Sequence, residues 1–123
     1  MTNRAVLVVE DEILVTMFIE EVVHDFGLTS HVFTEGKAAL EAFQAGRYVA
    51  AIIDLGLPDI SGHQVVLALL DRCPALCIVL ATGLDASETE AQFGHIDRLR
   101  ILCKPFDGPE LRQSLVSLGV LHA

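Results

Sequence analysis

Val49-Ala50-Ala51-Ile52-Ile53-Asp54 is a run of five apolar residues that stops on a carboxylate. It shows no alternation of apolar with polar side chains, so a strand formed here has no wet face and must be covered on both sides. Cys77-Ile78-Val79-Leu80-Ala81, ending in Thr82, reads the same way. Ala5-Val6-Leu7-Val8-Val9 ends in Glu10-Asp11, and Leu99-Arg100-Ile101-Leu102-Cys103 ends in Lys104-Pro105. Doubly covered strands belong to parallel sheets joined by helical crossovers. In such a sheet all these terminal side chains emerge on one carboxyl edge, where ligands bind.

The segments between the runs read as helices. Residues 12–26 carry Leu14, Phe18, Val22 and Phe26 near helical spacing, with Gly27 as a stop. Thr29 to Phe33 is a weaker strand candidate. Residues 36–45 place Ala39, Leu40 and Phe43 on one helical face before Gly46. Residues 55–62 form a loop carrying Gly, Pro, Asp and Ser, and 64–71 are helical up to Cys73-Pro74. The polar segment 83–95 holds a short helix near Ser87 to Phe93. The last helix has the clearest start: Asp107 caps it, Glu110 reciprocates, and Pro109 sits in the first turn. Leu111, Leu115 and Leu118 form its buried stripe. These are five β/α units with helices on both faces of one sheet. Their alternation does not by itself fix the strand order.

A chain of 123 residues fits one domain, here taken as residues 1–123. Hydrophobic residues at 52% and charged residues at 20% exclude a disordered chain. The uncharged apolar stretches, residues 13–19 among them, are too short to span a bilayer. The start, Met1-Thr2-Asn3-Arg4, has no signal-peptide pattern, so a cytoplasmic location is expected. Net charge is -9, from 8 basic and 17 acidic residues, with no Lys/Arg cluster. Direct nucleic-acid binding and anionic membranes are therefore disfavoured. Cys73, Cys77 and Cys103 are an odd set, two of them inside apolar strands, and read as buried reduced thiols. His24, His31, His63, His95 and His122 have no metal-ligand spacing and read as surface or boundary residues.

The strand ends suggest phosphoryl chemistry. Two like charges about 4 Å apart repel by roughly 4 kcal/mol at an effective dielectric near 20. Glu10, Asp11 and Asp54 in one cleft therefore need more counter-charge than Lys104 alone supplies. A divalent cation completes the balance, and carboxylates with waters and a phosphate oxygen make a Mg²⁺ environment. Asp54 is then the nucleophile that forms an acyl phosphate, with Lys104 and Thr82 holding the phosphoryl oxygens. Each residue also has a plainer reading: Asp54 as a turn residue, the acids at 10–12 as a helix start, Thr82-Gly83 and Lys104-Pro105 as turns. The constellation favours the site, since every strand but the second ends on a group the chemistry requires.

In Val8-Val9-Glu10-Asp11-Glu12, the segment from Asp54 to Gly62 (Asp-Leu-Gly-Leu-Pro-Asp-Ile-Ser-Gly), Ala81-Thr82-Gly83 and Cys103-Lys104-Pro105-Phe106, the chain resembles a response-regulator receiver domain of bacterial two-component signalling. The resemblance runs from Val6 to Leu118 and implies a flavodoxin-like (βα)5 three-layer sandwich with strand order 2-1-3-4-5. It implies that Asp54 accepts phosphate from a phosphohistidine on a sensor histidine kinase or histidine phosphotransfer protein. Asp11 would bind Mg²⁺ directly, Glu10 through water, and the Gly56 carbonyl would be a further ligand. Family members usually carry a cis bond where Lys104-Pro105 stands. Many also carry an aromatic residue where Ile101 stands. Leu80-Ala81-Thr82-Gly83-Leu84 resembles an atypical subgroup in which the following loop carries more of the response, so residues 83–93 are expected to repack on phosphorylation.

The chain is thus expected to act as a phosphoacceptor and not as a turnover enzyme. As no output domain follows Ala123, a stand-alone receiver that binds a downstream protein or passes phosphate onward is expected. The face of the fourth helix, fifth strand and last helix is the family's usual partner surface and a route to a homodimer. Mean hydropathy of +0.51 fits either residual apolar surface for such contacts or a well-filled small core. Two rivals remain: a phosphate-blind interaction module of the same fold, and a haloacid-dehalogenase-type phosphohydrolase. The hydrolase needs a second acid two residues after the nucleophile, where Gly56 stands.

Overall fold

The computed structural model describes residues 5–83 and 86–122. Its elements are β1 (Ala5–Val9), α1 (Ile13–Asp25), β2 (Thr29–Phe33), α2 (Gly36–Ala42), β3 (Tyr48–Asp54), α3 (Gly62–Arg72), β4 (Cys77–Thr82), α4 (Ser87–Phe93), β5 (Leu99–Cys103) and α5 (Gly108–Ser117). All strands pair in parallel, in the order β2-β1-β3-β4-β5, as the resemblance implies.

The apolar runs explain the layering. Every described residue of β1 and β4 is buried, and β3 has one half-buried position. Successive side chains point to opposite faces, which splits the core in two. Leu7, Val9, Ala51, Ile53, Ile78 and Leu80 pack under α2, α3 and α4 with Ala39, Val65, Val66, Leu69 and Phe93. Val6, Val8, Ala50, Ile52 and Val79 face α1 and α5 with Ile19, Val23, Leu111 and Leu115. The edge strands β2 and β5 are only partly buried.

Helix boundaries show where local chemistry outweighs periodicity. The α5 capping box forms as expected: Glu110 N–H donates to Asp107 Oδ1 at 2.8 Å, and Asp107 N–H donates to Glu110 Oε1 at 3.1 Å. A second box, between Ser61 and Gln64, starts α3 at Gly62, two residues before the expected position. The expected helix over 36–45 stops at Ala42. There Arg72 reaches across from α3, donating to the Leu40 carbonyl at 2.7 Å and the Phe43 carbonyl at 2.9 Å. Its guanidinium lies 5.1 Å from the centre of the Phe43 ring, which stacks in turn on Tyr48. Phe43 is buried by leaving the helix, so its packing ends α2 before Gly46 is reached.

The stripe expected on α1 is corrected. Leu14 and Phe18 are exposed, at 79% and 37%, while Thr16, Ile19, Val22 and Val23 face the sheet. Steps of four residues advance about 40° around a helix, so a stripe that meets the core at Val22 and Phe26 has wound out to solvent by Phe18 and Leu14. The thiols also separate: Cys77 is buried, Cys73 half-buried, and Cys103, expected to be buried, is exposed on the edge strand. All three are free. The five histidines are half-buried or exposed, as expected. Among the described residues no helix is long and apolar enough to cross a membrane.

Arg72→Ala removes both carbonyl contacts and the ring contact. It should lower unfolding stability by about 1–2 kcal/mol, measured by urea denaturation; an unchanged midpoint would contradict the capping role.

Candidate functional site

Strand register assembles the site. Val9 pairs with Ile53, Asp54 with Ala81, and Thr82 with Cys103. Glu10, Asp54, Thr82 and Lys104 therefore occupy one row along the carboxyl edge, beside the place where strand order reverses between β1 and β3. Backbone hydrogen bonds extend the pairing into the loops. Leu55 N–H donates to the Ala81 carbonyl at 3.1 Å, and Lys104 N–H donates to the Thr82 carbonyl at 2.7 Å.

Glu10, Asp54 and Thr82 are buried at 1%, 7% and 4% exposure, whereas Asp11 is exposed. The Lys104 ammonium lies 2.7 Å from Glu10 Oε1 and 3.1 Å from Asp54 Oδ1. Glu12 stands at 3.9 Å and is largely solvated, so its share is small. Glu12 N–H donates to Glu10 Oε2 at 3.1 Å. Oxygens from Glu10, Asp11 and Asp54 lie within 4.8 Å of one another. These are the three acids expected from the sequence. An all-oxygen donor set with one ammonium among three carboxylates fits a hard divalent cation, which these residues could hold.

Burial raises the Glu10 pKa above its ordinary value, and the Asp54 charge adds to this; the Lys104 and Glu12 hydrogen bonds offset only part. Burial works to lower the Lys104 pKa, but the bonds to Glu10 and Asp54 outweigh it and hold the ammonium above its ordinary value. The lysine is therefore a fixed positive charge at neutral pH. Lys104-Pro105 is cis, as the resemblance implies.

Gly56 is exposed beside the nucleophile candidate; a Cβ there would lie 3.8 Å from Asp54 Oδ2. Gly62 closes the loop, donating its N–H to the Leu55 carbonyl at 3.0 Å. A Cβ at Gly62 would come within 2.4 Å of the Asp54 carbonyl oxygen, so only glycine fits. Ile101 lies half-buried against the α4 side of the core. Of the segment expected to repack, Leu84 and Asp85 lie outside the described residues; its helix covers Ser87–Phe93.

Two contacts were not foreseen from the sequence. His63, at the start of α3, stacks on Phe93 of α4 with ring centres 5.3 Å apart. Leu14, Val15, Phe18, Pro105 and Phe106 line a depression of about 500 Å³ between α1 and the β5–α5 loop, next to Lys104. Phe18 and Phe106 meet there at 6.0 Å.

An open parallel sheet of order 2-1-3-4-5, with acids where its strand order reverses, places the molecule in the flavodoxin-like class. The family model described as response regulator receiver domain matches residues 6–116, and the chain belongs to that family of two-component signalling domains. The transcriptional regulatory protein QseB of Escherichia coli O157:H7 is 27% identical over 113 residues, 92% of this chain and 52% of that protein. The chain thus spans about half the length of that relative. Vibrio cholerae chemotaxis protein CheY4 has the same fold, with TM-score 0.85 at 23% identity over 94% of this chain and 98% of that one. The receiver domain of sensor histidine kinase PA1611 from Pseudomonas aeruginosa PAO1 gives TM-score 0.80 at 22% identity over 96% and 99%. That structure holds a magnesium ion coordinated in its active site cleft.

Because the Glu10 pKa is raised in the fold, the folded chain keeps this proton to higher pH than the unfolded chain does. Its stabilising contribution is full below pH 4.5, the ordinary value, and is lost as pH rises through the raised value. In chelator-containing buffer, the parent should therefore lose denaturant resistance relative to Glu10→Gln across that window. Parallel pH profiles would refute this assignment.

Proposed function

We propose that this chain is a phosphoacceptor receiver whose Asp54 takes a phosphoryl group from a histidine of a sensor kinase or phosphotransfer protein. The observation that carries the reading is the Lys104 ammonium bridging buried Glu10 and Asp54 at 2.7 and 3.1 Å. In the transfer, an Asp54 carboxylate oxygen forms the bond to phosphorus while the phosphorus–nitrogen bond to the donor imidazole breaks. Lys104, already facing Asp54, holds a transferred oxygen by charge, and Thr82, one residue along the edge, donates a hydrogen bond to it. Asp11 and Asp54 would hold Mg²⁺, with the Gly56 carbonyl as a further ligand and Glu10 acting through water. When bound, the ion neutralises charge on the transferred oxygens.

Gly56 supports an acceptor over a hydrolase. A side chain at 56 would begin 3.8 Å from Asp54 Oδ2, where it could orient an attacking water, and glycine offers none. The apolar depression beside Lys104 supports a protein donor: Leu14, Phe18 and Phe106 give a docking helix something to bury next to the acceptor. In this reading residues 1–123 act as one receiver unit in the cytoplasm. The switched segment 83–93 and the α4-β5-α5 face serve a downstream protein or a second copy. The chain assists its own phosphorylation and dephosphorylation without turning over a separate substrate.

Acetyl phosphate with Mg²⁺ should add one phosphoryl group by intact mass, and Asp54→Asn should add none. Equal masses for parent and variant would leave the phosphate-blind module as the better reading. Sustained multiple-turnover phosphatase activity would support the hydrolase.

A further inference from the structure

α2 has seven residues, and the side chain of its own N-cap residue, Glu35, makes no capping hydrogen bond. Its first two amides are bonded from elsewhere: Gly36 N–H donates to Asp59 Oδ1 at 2.9 Å, and Lys37 N–H donates to Asp59 Oδ2 at 2.8 Å. These bonds, the Lys37 amide foremost, hold the Asp59 carboxyl below its ordinary pKa. Both carboxylate oxygens are thus committed to a helix 22 residues away in the chain.

Asp59 belongs to the loop that joins β3 to α3, and that loop is fixed at several points. Its start is tied to β4 through Leu55, and its end folds back through Gly62 onto the Leu55 carbonyl. Its middle packs on α2: a Cβ at Gly36 would come within 2.6 Å of Ile60 Cγ1. Gly56 hangs inside this closed loop, against Asp54, with only Leu57-Pro58 between it and Asp59. Proline restricts both its own φ and the residue before it, so the short bridge carries a constraint at Asp59 back to the peptide at Gly56.

We infer that Asp59 is a positioning residue for the cation site: by bonding the first two amides of α2 it holds the loop so that the Gly56 carbonyl is presented to an ion bound by Asp11 and Asp54. This rests on the cation reading given above. The coupling is reciprocal, so ion binding firms the N-terminus of α2.

The test is Mg²⁺ titration by calorimetry on the parent, Asp59→Ala, Asp59→Asn and Arg72→Ala. Asp59→Ala should weaken Mg²⁺ binding about tenfold, the lower range for a group that orients a metal ligand. Asp59→Asn keeps one acceptor oxygen and should fall between; if the alanine variant does not fold, it carries the comparison. Arg72→Ala loosens the same helix at its other end and should bind as the parent does, which separates positioning from general destabilisation. Amide exchange at Gly36 and Lys37 in the parent should slow when Mg²⁺ is added. Parent-like affinity in both Asp59 variants, an equal loss in Arg72→Ala, or unchanged exchange overturns the inference. A parent that binds no Mg²⁺ overturns the cation reading, and the inference with it.

Discussion

The Lys104 ammonium sits between two buried carboxylates, 2.7 Å from Glu10 and 3.1 Å from Asp54, and the carboxyl edge of the sheet depends on that placement. Without it, two acids would be buried with no cation in contact, at a penalty of several kcal/mol each. One ammonium does not finish the task. Asp11 joins the same cluster and leaves it anionic. The edge is thus a site whose carboxylates outnumber its one contacting ammonium, held together by a frame of paired strands.

That frame is register. Parallel pairing with Asp54 opposite Ala81 and Thr82 opposite Cys103 leaves the side chains at the edge little freedom to drift apart. β1, β3 and β4 are buried on both faces, so a one-residue slip would exchange the two core sets and break both. Packing of side chains far from the edge therefore fixes distances at it. Gly62 extends this control into the loop, where the backbone of Asp54 leaves no room for a side chain.

Much of this was legible in the chain. Unbroken apolar runs announce doubly covered strands, and the residues ending them announce the edge; Asp107 and Glu110 announce a helix start that forms as written. What escaped reading depended on contacts between distant segments. Periodicity alone gave α1 a stripe through Leu14 and Phe18, but the helix begins beyond the sheet edge, so its first turns look over the β5–α5 loop. Gly46 was a reasonable stop for α2, yet Arg72, 29 residues further on than Phe43, closes the helix earlier. Asp59 looked like ordinary loop polarity because its partners lie in another unit. Cys103 sits in an apolar run, but on an edge strand whose last position faces out. His63 carried no spacing signal, since its partner Phe93 is a neighbour only once α3 and α4 are packed.

The start of α1 has a colloidal consequence. Ile13, Leu14 and Met17 are exposed at 63%, 79% and 58%, a sticky patch that would tend to pair copies of the molecule. Every copy also carries a net charge of -9, so two such patches approach against long-range repulsion. A basic counterpart meets the same greasy surface with attraction instead. The surplus of acids thereby acts as a filter on company, and one that dissolved salt would blunt as the Debye length shrinks.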